Sequence, residues 1–492
     1  MQLWQHQQDA LTAIGDAPGF MLAMDMGTGK SATAIAALEQ RGCQSVLILC
    51  PKSVASVWPG QFAKHAGQNW PVTVLAQGTM KKRRAQLEAA LASPARPRAI
   101  LFNYDVSLPP RYRCNECGTT GEWRGPKQRC ENKECRSMDL TVIDSLGNDM
   151  IRAADRKQLD ALVLDESHRL KSASGKQSRL VSRLADRIPF RLALTGTPMP
   201  HSPLDVYAQF RALDKRIYGT THAAFRAKYA VMGGYQQHQV VAYRDLDDLR
   251  ERMDRVTYRC KAGDVLSLPE YTDVTYTCVL DKRTRQVYDA MKEDFVALIE
   301  AGAITADNAL VKLLRLAQIA NGHATTEDGA STQLGTEKRD LLAEVLDDLH
   351  GDYDAVRQEP VVVFTRFRPD LRAIREVARE KGLRDGELSG THNDLQAWHD
   401  GAVDLLAVQL QAGGVGIDLT RARYCIYYSH DFSLGNDAQT RARVHRPGQT
   451  RAVTYIHLVA QDTIDEDIRE ALEKRADVVE TVLAGLTSGV RA

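Results

Sequence analysis

The sequence has almost no excess of charge of either sign. Lys and Arg total 64 against 63 Asp and Glu in 492 residues. No global field therefore attracts a polyanion, and any contact with nucleic acid must come from local patches. The N-terminal stretch MQLWQHQQDALTAIG also lacks the basic start and apolar core of a signal peptide.

The sequence also lacks long hydrophobic runs, and its apolar runs are too short to span a bilayer. Of the nine cysteines, four cluster between residues 114 and 135, and the other five are scattered in mostly apolar surroundings. This pattern is typical of a reducing compartment with one metal site rather than of a disulfide framework. We expect a soluble, cytoplasmic protein with no membrane partner.

Short apolar runs do recur, each followed by turn residues and a helical pattern. They are FMLA (20–23), VLILC (46–50), AILF (99–102), ALVL (161–164), LALT (192–195), VVVF (361–364), LLAV (405–408), YCIYY (424–428) and TYIHLV (454–459). Strands that are buried on both faces and alternate with helices predict parallel sheets in an α/β fold.

The runs fall into two groups, which predicts two α/β lobes at residues 1–214 and 336–492. Between them, residues 215–335 read as helical and charged, and we interpret them as a helical insertion and linker. Near the C-terminus, Thr463 and Glu466 have capping-box spacing, and Ile464, Ile468 and Leu472 form an apolar stripe. That helix is predicted to pack on its own lobe.

The first strand leads into a glycine-rich loop, MGTGKS. Gly27 and Gly29 let backbone N–H groups wrap a phosphate at the start of a helix. Lys30 would reach the β- and γ-phosphates, and Ser31 would bind Mg²⁺. Met24 stands where the full phosphate-loop pattern has a glycine, so that the loop alone is also compatible with an ordinary glycine turn.

Two carboxylates, Asp165 and Glu166, end the strand ALVLD. Carboxyl ends of parallel strands form the edge where ligands bind in such sheets. Asp165 is predicted to hold Mg²⁺, and Glu166 to orient and deprotonate the attacking water. After the next strand, Thr195 and Thr197 could relay hydrogen bonds from Glu166 and His168.

The stretch QTRARVHRPGQ (439–449) concentrates three arginines. If it is helical, Gln439, Arg443 and Arg446 share one face, at i, i+4 and i+7, and Arg441 points elsewhere. Arginine suits phosphate oxygens, but taken alone the cluster also fits a solvated helix surface.

In order, these motifs resemble the Swi/Snf family of superfamily-two helicase-like ATPases, and the match covers nearly the whole chain. LWQHQ is similar to the adenine-reading motif, LAMDMGTGKS to motif I, LCPKSVASVWPGQF to motif Ia, FNYDVS to motif Ib, DESH to motif II and LTGTPMPHSPLDVY to motif III. VVVFTRFRPDL is similar to motif IV, AGGVGIDLT to motif V and QTRARVHRPGQT to motif VI. Two further stretches, YRCKAGDVLSLPE and LLRLAQIANG, resemble the family's helical insertion.

The resemblance implies two RecA-like lobes and roles for particular residues. Gln7 would read adenine, Asp418 would contact the nucleotide or help to close the cleft, and Arg443 and Arg446 would be arginine fingers, with Gln439 coupling the lobes. The nucleotide would be held by Met26, Gly27, Thr28, Gly29, Lys30 and Ser31.

The resemblance also implies sequence-independent contacts with DNA phosphates. The matching positions are Lys52, Ser53, Asn103, Tyr104, Arg366, Phe367, Ser389 and Gly390. Near motif V the family has a Ser or Thr that touches phosphate, whereas this chain has Gln409, which puts that one contact in doubt.

A cysteine insert separates motif Ib from motif II. Cys114, Cys117, Cys130 and Cys135 are spaced C-x2-C and C-x4-C, which suits tetrahedral Zn²⁺ in a closed structural site. We predict a zinc ribbon at 111–138 within the first lobe. Trp123 could stack on a base or cover the ribbon's small core, so that a contact with DNA or a protein partner and a purely structural role are alternatives.

The sequence thus predicts an ATP- and Mg²⁺-using translocase on double-stranded DNA, of the small kind found in phage and bacteria. One alternative is a helicase that unwinds or anneals strands at forks. The other is an inert scaffold that binds DNA and zinc.

Overall fold

The structure is a computed structural model. It describes residues 3–52, 54–75, 78–104, 111–122, 128–143, 145–170, 172–199, 202–233, 239–300, 306–325, 331–349, 359–411 and 417–474. The chain divides into two compact units, Met1–Leu266 and Ser267–Ala492, and each is described by itself. None of the described helices combines the length and hydropathy needed to cross a bilayer.

The first unit is built on a seven-stranded sheet in which every pair of neighbours is parallel. Its strands, in chain order, are β1 (Gly19–Met24), β2 (Ser45–Cys50), β3 (Val72–Val74), β4 (Arg98–Asn103), β8 (Ala161–Asp165), β9 (Phe190–Thr195) and β12 (Thr257–Cys260). Across the sheet they lie in the order β12-β1-β9-β8-β2-β4-β3. Every residue of β1, β2, β4 and β8 is buried, as expected for apolar strands covered on both faces.

Helices connect these strands. They are α1 (Gln5–Ile14), α2 (Lys30–Gln40), α3 (Trp58–His65), α4 (Met80–Ala92), α5 (Leu146–Asp155), α6 (Lys176–Ala185), α7 (Val206–Leu213), α8 (Lys215–Tyr218), α9 (His222–Tyr229), α10 (Leu246–Asp254) and α11 (Ala262–Val265). Helices α5 and α6 supply Met150, Ile151, Val181 and Leu184 to one hydrophobic core with β2, β4 and β8. A second core joins β1 and β9 to α7, α9 and α10.

Within the described ranges, two small antiparallel sheets interrupt the first unit. The first is three-stranded, with β5 (Arg111–Cys114) between β6 (Thr120–Glu122) and β7 (Leu140–Ile143). It lies between β4 and α5 in the chain, which is where the sequence predicts the cysteine ribbon. The second is a hairpin of β10 (Ala230–Gly233) and β11 (Gln239–Tyr243).

The second unit has its own all-parallel sheet, in the order β13-β20-β19-β16-β18-β17. Its strands are β13 (Tyr271–Cys278), β16 (Val361–Thr365), β17 (Asp385–Leu388), β18 (Leu405–Gln409), β19 (Tyr424–Tyr427) and β20 (Val453–Ala460). The hairpin β14 (His323–Thr325) and β15 (Ser331–Gln333) is separate. The helices are α12 (Lys282–Glu300), α13 (Ala306–Ala320), α14 (Glu337–Leu349), α15 (Arg368–Glu380), α16 (Leu395–His399), α17 (Leu434–Val444) and α18 (Ile464–Glu473).

Buried polar groups fix several of these helices. The ammonium of Lys338, in α14, is 1% exposed; it donates to Oδ1 of Asn321 at 2.7 Å and pairs with Asp465 in α18. Asn321 in turn donates to Asp370 of α15 at 2.8 Å. A buried charge is tolerated only where it is paired and hydrogen-bonded, and this network joins the first turns of α14, α15 and α18 to the residue that follows α13.

The α/β fold with two parallel-sheet lobes is confirmed, and all nine apolar runs coincide with strands. The C-terminal helix begins after Thr463 as predicted, and Ile464, Ile468 and Leu472 are buried; the rest of that pattern lies outside the described residues. The boundary between the two units, 266/267, falls inside the segment 215–335 that the sequence predicts to be a helical insertion and linker.

The segment 215–335 is also not purely helical. Its strand β12 pairs with β1 of the first unit, and its strand β13 pairs with β20 of the second. Both are edge strands, and most of β13 is exposed. Edge strands need no continuous apolar run, so that the sequences TYRC and YTDVTYTC carry no signal of the kind that identifies the central strands.

Close packing at the start of β1 gives a stability prediction. A Cβ at Gly19 would lie 2.1 Å from the carbonyl oxygen of Leu213, a backbone atom at the end of α7. We expect Gly19→Ala to lower the free energy of unfolding by about 1–3 kcal/mol, measured by urea denaturation. The control is Gly60→Ala in α3, where nothing lies within 4 Å of the new Cβ and a gain of up to about 1 kcal/mol is expected. Wild-type stability of Gly19→Ala would contradict this packing.

Candidate functional site

The glycine-rich loop joins β1 to α2. Gly27 and Gly29 have φ values of +82° and +85°, a region that favours glycine. The hydroxyl of Thr28, which is fully buried, donates to the carbonyl of Asp25 at 2.7 Å. The loop therefore has the tight backbone that an anion cradle needs, immediately before the N-terminus of α2.

Lys30 and Ser31 are the first two residues of α2. The ammonium of Lys30 donates to the carbonyl oxygens of Met24 and Asp25 at 2.7 and 3.1 Å. Its charge is therefore held over the loop. Met26 and Ser31 are partly exposed.

Helix α1 packs directly on this loop. Nε2 of Gln7 donates to the carbonyl of Thr28 at 3.2 Å, and Nε2 of His6 lies 2.8 Å from the same oxygen. A Cβ at Gly29 would be 2.1 Å from Nε2 of Gln7. This close approach, in addition to the positive φ, favours glycine at the position. The sequence singled out Gln7 but not His6, whose only signal is its position beside Gln7.

Asp165 and Glu166 lie at the carboxyl end of β8 and are 5% and 3% exposed. Oδ2 of Asp165 accepts from the indole N–H of Trp58 at 3.0 Å, and Oδ1 accepts from the Glu166 N–H at 3.0 Å. Glu166 has φ +51°, which is uncommon for a residue with a side chain. Trp58 was not predicted to take part, because nothing local in VWPGQF indicates that its indole reaches β8.

Both carboxyl groups hold protons more tightly than usual. Burial, and then the charge of Glu166, raise the pKa of Asp165 to about 7, against the hydrogen bond from Trp58 and the charge of Lys30. Burial also raises the pKa of Glu166, while Lys30 and Arg169 oppose the shift. The positive charge of Lys30 lowers both pKa values, so that the loop and the carboxyl pair lie close enough to interact.

A hydrogen-bonded chain continues from this pair. Nδ1 of His168 lies 3.3 Å from Oε2 of Glu166 and 3.1 Å from Oγ1 of Thr195. The N–H of Thr197 donates to that same hydroxyl at 3.1 Å. The four residues proposed as a relay are therefore in contact within the first unit.

In the second unit, α17 carries Gln439 and Arg443, one helical turn apart. The condition for a shared helical face holds for Gln439 and Arg443 but not for Arg446, since α17 ends at Val444. The helical conformation is sterically disfavoured for a residue that directly precedes a proline, and Arg446 directly precedes Pro447. The guanidinium of Arg446 instead donates to the carbonyl of Ile417 at 3.2 Å.

Arg443 is buried, at 6% exposed, and burial lowers its pKa to about 10. Asp418 lies just beyond the part of motif V that is outside the described residues. Its Oδ1 accepts from the N–H and hydroxyl of Thr420 at 2.9 and 2.7 Å. These bonds fix the carboxylate in its own turn.

Arg441 has a different function in the same helix. Its guanidinium donates to both carboxylate oxygens of Asp273, at 3.0 and 2.6 Å, and lies 4.5 Å from the ring centre of Tyr455. Asp273 is in β13 and also lies 2.6 Å from Nε2 of His457. Arg441 therefore fastens α17 to two strands, β13 and β20.

The predicted DNA contacts differ widely in exposure. Lys52 is exposed, and Ser53 lies outside the described residues. Asn103, Tyr104 and Phe367 are buried; their side chains present little surface to a polymer.

The remaining candidates for DNA contact are in the second unit. Arg366 pairs with Asp431 and lies over the ring of Phe432. Ser389 and Gly390 are in the turn after β17, where the Ser389 hydroxyl donates to Glu387.

The four clustered cysteines meet at the ribbon. The Sγ atoms of Cys114, Cys117, Cys130 and Cys135 all lie within 4.8 Å of one another. The pairs Cys114–Cys135 and Cys117–Cys130 are 3.7 and 3.5 Å apart. Sulfur ligands at about 2.3 Å from tetrahedral zinc lie about 3.8 Å from each other, and the cluster fits that ion. Trp123 lies outside the described residues.

Comparison with known proteins places these features in a family. Residues 3–325 match the SNF2-related domain, and residues 337–448 match the helicase conserved C-terminal domain. Protein p41 of Acyrthosiphon pisum secondary endosymbiont phage 1 is 25% identical over 94% of this chain and 93% of its own length. Chromodomain-helicase-DNA-binding protein 1-like of Danio rerio is 25% identical over 94% of this chain and 42% of its own.

Among solved structures, the SWI2/SNF2 ATPase core of Sulfolobus solfataricus in complex with dsDNA is 19% identical. The superposition covers 96% of this chain and 91% of the Sulfolobus chain, with a TM-score of 0.40. The chain thus spans nearly all of the phage relative but less than half of the Danio rerio one. Since the SNF2-related match alone covers well over half of the residues, the chain belongs to the SNF2-related (Swi/Snf) family of helicase-like ATPases.

Proposed function

We propose that the protein is a DNA-dependent ATPase that translocates on double-stranded DNA. The observation that carries this proposal is geometric: a glycine-rich loop follows β1 and a buried carboxyl pair ends β8, and these two strands flank β9 in one parallel sheet. Membership of the SNF2-related family supports ATP as the nucleotide.

In the first unit, the loop from Met26 to Lys30 binds the phosphates, and Gln7, which already contacts the loop, reads the base. Ser31 and Asp165 would hold Mg²⁺, and the bound ion would neutralise charge on the phosphate oxygens. Glu166 orients the attacking water and takes its proton. Its raised pKa and its contact with His168 suit a general base.

In the second unit, Arg443 and Arg446 neutralise charge that develops on the γ-phosphate, and such a finger contributes about a thousandfold or more in related phosphoryl transfers. Gln439 and Asp418 support this step. The base belongs to the first unit and the fingers to the second, so that we expect loss of either to abolish turnover.

DNA is bound through its phosphates, without sequence preference. The residues assigned to it are Lys52, Ser53, Asn103, Tyr104, Arg366, Phe367, Ser389 and Gly390. At the buried positions among them the contact comes from the backbone. The name of the Danio rerio relative, which includes helicase and DNA-binding, supports this substrate.

At the ribbon, Cys114, Cys117, Cys130 and Cys135 hold a structural zinc ion. The close approach of the four sulfur atoms supports this assignment. Four thiolates fill the coordination shell of tetrahedral zinc and leave no open position for chemistry.

The first test is the rate of ATP hydrolysis with no DNA, with single-stranded DNA and with a blunt duplex. We expect strong stimulation by the duplex, and we expect Glu166→Gln to lower the stimulated rate by about 10²–10⁴, as loss of a general base does. Stimulation by single strands or forks alone would favour the unwinding or annealing helicase instead. No hydrolysis under any of these conditions would favour the inert scaffold.

The carboxyl pair also predicts a dependence of stability on pH. An acid whose pKa rises on folding, here from 3.8 to about 7 for Asp165, destabilises the folded state as pH increases through that interval. Glu166→Gln removes one buried charge, so that it should raise Tm more at pH 8 than at pH 5. We expect a difference of a few degrees, since about 1 kcal/mol shifts Tm by about 2–4 °C in a domain of 150–250 residues.

The control for this measurement is Glu88→Gln, the same substitution at an exposed position of α4. It should leave Tm nearly unchanged at both pH values. An equal change at pH 5 and pH 8 for Glu166→Gln would contradict the assignment of the shifted pair.

Zinc content is the test of the ribbon. Wild-type protein should contain a single zinc ion per chain by elemental analysis, and Cys114→Ser should lose most of it because three thiolates hold zinc less tightly than four. Cys43→Ser changes a buried cysteine outside the cluster and should keep the metal. A full complement of zinc in Cys114→Ser would rule out the four-cysteine site.

A further inference from the structure

The stretch of chain that links the two units is hydrogen-bonded, at each end, to an element of the candidate site. We call residues 260–273 the connector, and the unit boundary at 266/267 lies within it. The connector runs from the last residue of β12, through α11, into the first three residues of β13. Each of its ends makes its contacts within its own unit.

In the first unit, the connector is held by Asp25, which stands between β1 and the glycine-rich loop. The N–H of Asp25 donates to the carbonyl of Cys260 at 2.8 Å, and Oδ2 of Asp25 accepts from the N–H of Ala262 at 3.0 Å. The carbonyl of Asp25 accepts from the Thr28 hydroxyl at 2.7 Å and from the Lys30 ammonium at 3.1 Å. One residue therefore bonds to both the connector and the loop.

In the second unit, the connector is held at the end of α17. The carbonyl of Pro269 lies 2.7 Å from Nε2 of His445, the residue that follows this helix. Two residues of β13 add to this contact, because Tyr271 and Asp273 are two positions apart and face the same side of the sheet. The Tyr271 ring meets that of His445 edge to face at 5.3 Å, and Asp273 accepts both hydrogen bonds from Arg441.

These contacts enclose the two candidate arginine fingers. Arg441 and His445 stand two positions before and after Arg443, and His445 directly precedes Arg446. The N–H of His445 donates to the carbonyl of Arg441 at 2.9 Å, which makes this turn one hydrogen-bonded piece. Because the pair of Arg441 and Asp273 is bidentate and partly buried, it holds the turn more firmly than an exposed ion pair would.

The connector is short between its two attachments. Only residues 263–268 separate Ala262 from Pro269, and the first three of them belong to α11. This helical turn is closed by a hydrogen bond of 2.8 Å from the N–H of Leu266 to the carbonyl of Ala262. A displacement at one attachment therefore reaches the other through few rotatable bonds.

We propose that Asp25 and Asp273 are positioning residues of the ATPase site and that they act together through the connector. Asp25 holds the connector against the glycine-rich loop, and Asp273 holds the turn that carries Arg443 and Arg446. The inference rests on the proposed function and adds to it a covalent route by which a phosphate bound at the loop affects the fingers. Such a route is established only by measured coupling between its ends.

The test is a double-mutant cycle on duplex-stimulated ATP hydrolysis with Asp25→Ala, Asp273→Ala and the combined variant. Each single variant should lower kcat by about ten- to a hundredfold, because misplacing a catalytic group by about 1 Å has effects of that size. If both residues act through one connector, the combined variant should be no slower than the slower single variant.

Binding of ATP should be retained in all three variants. The loop bonds to the backbone carbonyl of Asp25, which alanine keeps, and Asp273 belongs to the other unit. The Kd for the fluorescent analogue mant-ATP should therefore change by less than about threefold while kcat falls, as expected when an interaction specific to the transition state is lost.

Two further variants separate positioning from stability. Asp25→Asn keeps an acceptor oxygen for the N–H of Ala262 and should restore most of the turnover. Asp404→Ala removes a buried carboxylate of the second unit that accepts two hydrogen bonds from the Arg384 guanidinium, outside the connector. It should lower Tm and keep the wild-type kcat. If circular dichroism shows that Asp273→Ala is unfolded, Asp273→Asn takes its place in the cycle.

The outcomes distinguish this inference from the proposed function. Wild-type turnover in either single variant would overturn the inference, and so would effects that multiply in the combined variant, because the two aspartates would then act separately. Arg443→Ala is the reference: if it is inactive while both aspartate variants are active, only the inference fails. If Arg443→Ala turns over as the wild type does, or the wild type hydrolyses no ATP, the proposed function fails and the inference fails with it.

Discussion

The candidate nucleotide site depends on the common direction of the strands in the first unit. Because all seven strands are parallel, their carboxyl ends meet at one edge. The loop after β1, the carboxyl pair after β8 and the threonines after β9 are therefore brought together although they are far apart in sequence. The sheet neighbours β1, β9 and β8 supply the groups, and α3, which follows β2, supplies Trp58 to Asp165.

Gathering acidic groups at a buried edge has a cost that the surrounding residues only partly offset. Asp165 accepts two hydrogen bonds and feels the charge of Lys30, yet its pKa stays near 7 because burial and Glu166 outweigh them. If Asp165 holds Mg²⁺ as proposed, a proton and the cation compete for the same oxygens.

Local spacing predicted the central strands and the glycine loop because each depends on neighbouring residues. A strand buried on both faces must be apolar throughout, and a phosphate loop must have glycines just before a lysine. The rest depends on contacts between distant residues. Trp58 meets Asp165 across 107 positions, and Arg441 meets Asp273 across 168. Neither pairing leaves a trace in sequence spacing. The end of α17 before Arg446 could have been predicted, since Pro447 stands directly after it.

Near-zero net charge and the proposed role in binding DNA are compatible because arginines in the second unit make different contacts. Arg441 is neutralised by Asp273 and fixes a helix, and Arg443 is buried. Arg375 is matched by carboxylates of β17. The charges of Arg441 and Arg375 are offset by these carboxylates and add little to the field outside. Arg368 and Arg372 are the contrast, since they are exposed at the dipole-positive end of α15. A count of charges over the whole chain averages such groups, whereas a phosphate responds to those within about one Debye length, about 10 Å at 0.1 M salt.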